Sequence, residues 1–387
     1  MTEPAPGAGL DPSMLLTKAE REASRRRTLG GTGVSEAVVA TPAEAKRLEY
    51  GAAIVLDPLR EFLDAAGLGA GELSAEEIGD GHSNLSFLLV RGERRFVLRR
   101  PPRGELSASA NDVLRESRVL EAVARTPVPV PEVLARCEDP ELIGAPFFVM
   151  SFVEGAPIND GLAEETDDAE APARILTDTV AALADLHAAD LDASGLGDFG
   201  RPSGYLDRQL RRFASLLEAN ATRPLPDLES VAAWLAANIP ADSETTFVHG
   251  DYRLGNLMFA SPLRLTAVLD WELATVGDPL ADLGYLTAVW AEEGDTPNPM
   301  FALSRLTARP GFPGRDEVAG RYAEATGRSL ESLPWYQTLA LWKSAIFLEG
   351  SFKRYSEGAS TDEYFAALDR GVPAVARAAA GLTEAIG

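Results

Sequence analysis

The sequence predicts an α+β protein of two lobes, a small antiparallel-sheet lobe followed by a large helical one. Three observations carry this expectation. Segments with strand alternation cluster before residue 153, long amphipathic helical patterns fill most of the chain after Gly155, and the character changes at Val153-Glu154-Gly155. At 387 residues the chain is long enough to bury two cores. The expected organisation is a mobile arm over 1–45, a small sheet lobe over 46–153 and a helical lobe over 154–387.

In chain order, the first 42 residues are rich in Gly, Ala and Pro, with a basic knot at Arg25, Arg26 and Arg27 and one short helix expected near 15–26. Asp57-Pro58 reads as an N-cap followed by a first-turn proline, with Leu59, Phe62, Leu63 and Ala66 on one face and Gly67 as the stop. Strands are expected over 86–90 and 95–98, joined at Arg91-Gly92-Glu93, then a helix over 109–125. Thr126-Pro127-Val128-Pro129-Val130-Pro131 forces an extended connector. Two further strands fall at 133–137 and 147–152. Helices follow over 171–189, 205–219, 228–238, 281–292, 316–326, 334–355 and 361–380.

Bulk composition excludes several classes. Net charge is −23, which disfavours a nucleic-acid partner or an anionic membrane surface, since phosphate-rich surfaces select for basic faces. No run approaches the roughly 20 apolar residues of a membrane span, and residues 1–10 lack the basic-then-apolar order of a secretory signal. The single cysteine, Cys137, forms no internal disulfide framework and fits a reducing cytoplasm, the expected location.

The chemistry concentrates in F-V-H-G-D-Y-R-L-G-N, a short apolar strand, and V-L-D-W-E. Asp251 with Asn256 five residues later has the spacing of a phosphoryl-transfer loop, the aspartate taking a hydroxyl proton and the asparagine gripping a metal ion. Asp270 at the end of the next strand completes a site for magnesium, a hard cation that takes one or two carboxylates plus phosphate oxygens. The expected cofactors are therefore ATP and Mg2+. Upstream, Gly79-Asp80-Gly81-His82-Ser83-Asn84 precedes a strand and is either a plain hairpin turn or a loop that brings backbone close to phosphate, with Gly81, Ser83 and Asn84 as the expected nucleotide contacts. Alternation in Phe96-Val97-Leu98-Arg99 places Arg99 beside Val97, so Arg99 is the phosphate-facing cation, and Arg100 is expected to face solvent. Glu116 falls on the apolar face of its helix. It either pairs with Arg99 or snorkels to water. Backbone groups of Ser151 and Val153 are expected to bond the adenine edge.

With these motifs in place, the chain resembles the aminoglycoside phosphotransferase-like family, which has a protein-kinase-like fold, and in particular the branch fused to acyl-CoA dehydrogenases. The matching stretches include G-D-G-H-S-N-L-S, F-V-L-R-R-P-P, V-L-R-E-S-R-V-L, T-P-V-P-V-P, H-G-D-Y-R-L-G-N-L-M-F and V-L-D-W-E-L-A-T-V-G-D-P-L-A-D-L-G-Y-L, within about 56–358. The resemblance implies that Asp251 is the general base or hydroxyl orienter, that Asn256 and Asp270 hold magnesium, and that Arg99 stands in for the strand lysine, a replacement that recurs in that branch. Arg253 stands where protein kinases carry a lysine that contacts the γ-phosphate, and is either that cation or an exposed loop charge. Asp282 is either an anchor for the loop backbone or an ordinary first-turn carboxylate. His249 and His187 are expected to be structural. 

The expected reaction is transfer of the γ-phosphoryl of MgATP to a hydroxyl of a small molecule, aminoglycoside-like or hydroxyacyl-CoA-like. Trp271, Glu272, Tyr285, Trp342, Glu349, Lys353 and Tyr355 are candidates to line the acceptor site. The alternatives are a nucleotide-binding regulatory module without turnover, which the complete Asp251, Asn256 and Asp270 set opposes, and a protein kinase. The latter is opposed by Gly250 after the loop histidine and by Trp271-Glu272 after Asp270.

Overall fold

The computed structural model describes residues 38–48, 51–79, 84–102, 112–159, 161–162, 166–241, 244–358 and 363–386. They form two compact units. One holds the described residues of 38–155 together with 266–273, and the other those of 156–265 and 274–386. The helix expected near 15–26, and the candidate contacts Gly81 and Ser83, lie outside the described residues.

The first unit opens with β1 (Val38–Val39), α1 (Pro42–Ala45), β2 (Ile54–Val55) and α2 (Leu56–Ala65). Helix α2 begins two residues earlier than expected: Val55 is its N-cap and makes no side-chain cap bond. Asp57 instead sits in the first turn, where it favours the helix dipole and pairs with Arg60 at 3.0 Å. A five-stranded antiparallel sheet follows, from β3 (Leu73–Ile78), β4 (Leu85–Arg91), β5 (Arg94–Arg100), β6 (Val133–Cys137) and β7 (Phe147–Ser151), in the order β3-β4-β5-β7-β6. Strand β3 has no counterpart among the expected strands. Its one buried residue, Leu73, leaves no apolar alternation to read. Between β5 and β6 runs α3 (Val113–Val123), capped by Asp112, whose side chain accepts from Arg115 N at 2.8 Å.

One sheet face carries Phe87, Leu89, Phe96, Leu98, Phe147 and Val149, packed with Leu59 and Leu63 of α2 into the unit's core. Strand alternation therefore sends Arg100 to the same face as Leu98, and the expectation that it faces solvent is wrong. Arg100 is 2% exposed. Its guanidinium donates to the carbonyls of Ala53, Pro101 and Ile143, which offset the cost of burying its charge.

The second unit contains β8 (Ala156–Pro157), α4 (Ala171–His187), α5 (Leu191–Ser194), α6 (Tyr205–Asn220), α7 (Pro226–Ala237), β9 (Thr246–Val248) and β10 (Leu257–Ala260). The chain then passes along β11 (Arg264–Val268) into the first unit and returns at β12 (Thr275–Gly277), which pairs antiparallel with β9. The excursion 266–273 is held in the first unit by Val268 N donating to Pro129 O at 2.8 Å and Thr266 Oγ1 donating to Glu154 O at 3.0 Å. Beyond β12 lie α8 (Pro279–Val289), α9 (Arg315–Thr326), α10 (Leu333–Ser356) and α11 (Leu368–Ile386). No helix of the described residues is long and apolar enough to cross a membrane.

Candidate active site

In the sheet unit, Arg99 is the centre of a buried charge network. It lies opposite Ser86 in the β4–β5 register, its side chain 13% exposed. Nε donates to Glu116 Oε2 at 2.8 Å and Nη2 to Asp270 Oδ1 at 2.6 Å. Of the two alternatives for Glu116, the structure adopts the ion pair. Burial weighs against the Arg99 charge, but Glu116 and Asp270 outweigh it and hold the guanidinium above its ordinary value. Burial also raises the Glu116 pKa, opposed by Arg99 and by a hydrogen bond from the Trp271 backbone. Glu116 thus grips both the cation on β5 and the main chain just beyond Asp270.

Asn84 adds a second link. It is 1% exposed and its Nδ2 donates to Glu272 Oε2 at 3.0 Å. Arg115 reaches the Glu272 carbonyl at 3.4 Å, so one turn of α3 and the residue before β4 hold the strip 270–272. Asp270 itself has φ +66, a left-handed conformation that aspartate tolerates better than most residues and that turns its carboxylate out of the strand direction. Of the two residues expected at the adenine edge, Ser151 has its N–H committed to Glu132 O at 2.8 Å, which leaves only its carbonyl for a base contact. Val153 is part-buried just beyond the end of β7.

In the helical unit, Asp251 sits on the loop between β9 and β10. The loop is pinned from beneath by Asp282 in the first turn of α8, whose carboxylate accepts from His249 N at 2.6 Å and Gly250 N at 2.8 Å. Asp282 is therefore the backbone anchor. Its burial tends to raise its pKa, but the hydrogen bond from His187, the neighbouring imidazoles and the Gly250 N–H together hold it below the usual carboxylate range. His187 lies between, 3.3 Å from Asp282 Oδ2 and 2.7 Å from the Tyr322 hydroxyl, so it is structural as expected. His249 is buried and its Nδ1 accepts from Asp251 N at 3.2 Å. Tyr252 ties the loop to α4 through Thr179 O at 2.8 Å.

Gly250 has φ +86, which explains why no side chain is found after the loop histidine. At Gly255 a Cβ would lie 2.1 Å from Arg253 Nη1 and 2.5 Å from Asn159 Oδ1. Its absence lets the Arg253 guanidinium fold along the loop, where Nε approaches Asp251 Oδ1 at 3.3 Å. Asn256 Nδ2 donates to Asp251 O and Oδ2, both at 2.8 Å. With the amide so oriented, the Asn256 Oδ1 is the atom left for other partners, and oxygen is the donor type magnesium takes. Tyr285 completes the surroundings by bonding the Asp251 side chain.

The structure thus brings Asp251, Arg253 and Asn256 together in one unit, and Asn84, Arg99, Glu116 and Asp270 together in the other. Among the acceptor-lining candidates, Tyr285 meets Asp251, whereas Trp342 and Glu349 belong to the core. Trp342 donates to Leu228 O, and Glu349 is fully buried under Thr222 and Arg223. Lys353 donates to Ala219 O at 2.8 Å. Trp271 is buried, with Nε1 bonded to Val268 O. Sequence reasoning missed Gly255 and Arg115; the glycine between Arg253 and Asn256 was the available signal for the first.

Residues 74–334 match the family model described as Phosphotransferase enzyme family. Acyl-CoA dehydrogenase family member 11 of Gallus gallus is 35% identical over 302 residues, covering 76% of this chain and 38% of that protein. Acyl-CoA dehydrogenase family member 10 of Mus musculus is 32% identical over 311 residues, covering 79% and 29%. The chain therefore matches only about a third of the length of these relatives. Among solved structures, a candidate aminoglycoside phosphotransferase from Ralstonia eutropha superposes with TM-score 0.71 at 31% identity, over 85% of this chain and 98% of that one. Aminoglycoside phosphotransferase APH(4)-Ia in complex with AMP-PNP and hygromycin B gives TM-score 0.56 at 18% identity, over 84% and 98% of the two chains, a likeness of fold alone.

Proposed function

The chain belongs to the Phosphotransferase enzyme family and has its two-lobed, protein-kinase-like fold, and from that premise we propose that it moves the γ-phosphoryl of MgATP to a hydroxyl of a small molecule. The observation that carries this proposal is the setting of Asp251. Its carboxylate is oriented by Asn256, Arg253 and Tyr285 on a loop whose backbone is fixed by Asp282. Such a group accepts the hydroxyl proton and aligns the oxygen for in-line attack, which is most of what a loose phosphoryl-transfer transition state asks of a protein.

Magnesium, when bound, supplies charge neutralisation on the β- and γ-phosphates, and Asn256 and Asp270 are the ligands we assign to it. Their donor chemistry fits: one carboxylate side chain that is 32% exposed and one amide oxygen left over from the Asp251 contacts. Arg99 and Asn84, with Gly81 and Ser83, are assigned to the nucleotide, Glu116 to holding Arg99, and Ser151 and Val153 to the base. Arg253 is assigned to the transferring phosphoryl group. Because Arg99 already pairs with Asp270, nucleotide phosphate has to compete for that guanidinium as it binds.

We carry two acceptor classes forward, aminoglycoside-like and hydroxyacyl-CoA-like; the similar proteins are named for aminoglycosides and for acyl-CoA. The test is Asp251→Asn, assayed for acceptor-dependent ADP formation over aminoglycosides, macrolides, choline and hydroxyacyl thioesters. Turnover is expected to fall by about 10²- to 10⁴-fold with nucleotide binding retained. Near-normal turnover would overturn the assignment.

A further inference from the structure

Lys343 of α10 stands in a setting that phosphoryl transfer by itself does not require. It projects from α10 with its ammonium 4.8 Å from the ring centroid of Phe213 on α6. It is half-buried, and no carboxylate or carbonyl of the described residues is bonded to it. Burial first, then the guanidinium of Arg212, push its pKa down to about 8 against the pull of Asp282 and Asp251. The ammonium is thus within electrostatic reach of the proposed base. One turn along α10, Phe347 packs edge-on against Phe213 at 5.0 Å yet remains 44% exposed, one of two large apolar side chains so exposed among the described residues.

Holding an ammonium partly out of water against a ring face, with its carboxylates acting only through space, is unfavourable. The cost falls on one of only four lysines in a chain of net charge −23, next to an arginine and an uncovered aromatic ring. Departures of this kind from the folding rules mark places where a ligand supplies what the protein lacks.

We propose that Lys343 is an acceptor-selecting residue, which binds an anionic oxygen group, a carboxylate or a phosphate, on an alcohol whose apolar part lies on Phe347 and whose hydroxyl meets Asp251. The proposal rests on the phosphotransferase reading of Asp251 and narrows its acceptor class. Arg212 strengthens the positive potential at this point, so polycationic aminoglycosides are disfavoured on the Lys343 side. A lysine suits the role because its ammonium is a compact, rotatable point charge that does not impose bidentate geometry.

The test uses ω-hydroxyalkanoates of increasing chain length, each with its methyl ester, the matching amino alcohol and the matching diol monophosphate. Binding is read by calorimetry without ATP, and transfer by ADP formation with MgATP. Expected is tighter binding of the anionic members than of the ester and the amine by about tenfold or more, the scale of one charge-assisted hydrogen bond. The carboxylate and phosphate arms show which anion is preferred. Lys343→Met is expected to raise KM for the anionic acceptor by a similar factor with kcat little changed, and Lys343→Arg to recover most of the loss. Equal binding of acid, ester and amine by the wild type, or an unchanged preference in Lys343→Met with native circular dichroism, would overturn the proposal. Failure of the kinase reading is distinct: anion-selective binding would persist while no acceptor supported ADP formation.

Discussion

Single residues in this protein carry roles that their types alone do not announce. Glu116 is a buried carboxylate held in place by Arg99 and by the Trp271 backbone. Removing one partner of such a pair leaves a charge stranded, so Glu116→Ala is expected to cost stability toward the lower end of about 3–5 kcal/mol, because Asp270 remains as a second partner for Arg99. Weakened ATP binding should accompany the loss, and an unchanged affinity by calorimetry would remove Glu116 from the nucleotide site. Lys343 gives the opposite sign. Its unfolded-state pKa is that of an ordinary lysine and its folded value is about 8, facing Arg212 on α6, Asp282 on α8 and Asp251 on the loop. Between those two values the unfolded chain binds more protons, so stability rises with pH across that window. Lys343→Met should therefore raise Tm at pH 7, with the gain shrinking as pH climbs from about 8 toward 10.5.

At the scale of elements, α8 and the loop before β10 act as one device. Asp278 caps α8 through Leu280 N at 2.9 Å, and Asp282 one turn later turns back to hold His249 and Gly250. Asp282 has a depressed folded pKa, so its contribution to stability is full above the ordinary aspartate value near 3.9 and is lost as pH falls through the lower folded value. The Tm difference between the wild type and Asp282→Asn is expected to be constant from about pH 5 to 8 and to narrow below about pH 4. A difference that persists at low pH would assign the loss to packing rather than to charge. Strand β5 shows element logic too: alternation sends Arg99 toward Glu116 and Asp270 and Arg100 to the core, two adjacent arginines with different fates.

Over the whole molecule, the chain order and the structural units do not coincide. Residues 266–273 belong to the sheet unit although both flanking segments belong to the helical one. Cooperative opening follows contacts rather than sequence neighbours. In Glu116→Ala, amide exchange is therefore expected to accelerate over 84–100, 113–123 and 266–273, and to stay unchanged over 171–187 and 333–356. Uniform acceleration along the chain would show that the two units open together.

By itself the sequence determined the α+β class, most helix positions and the pairing of Asn256 with Asp251 on one loop, because periodicity, prolines and the Asp251–Asn256 spacing are local signals. It also selected Arg99, since strand alternation needs only parity. Tertiary structure alone decided which buried polar groups found partners. Arg100 found carbonyls of Ala53 and Ile143, Glu349 found Thr222 and Arg223, and Asn84 found Glu272. Those partners lie tens to hundreds of positions away in the chain, and no local pattern encodes a distance that only folding closes. Lys343 is the converse, a charge that folding sets against the Phe213 ring, with no carboxylate of the described residues bonded to it, one turn from the half-exposed Phe347.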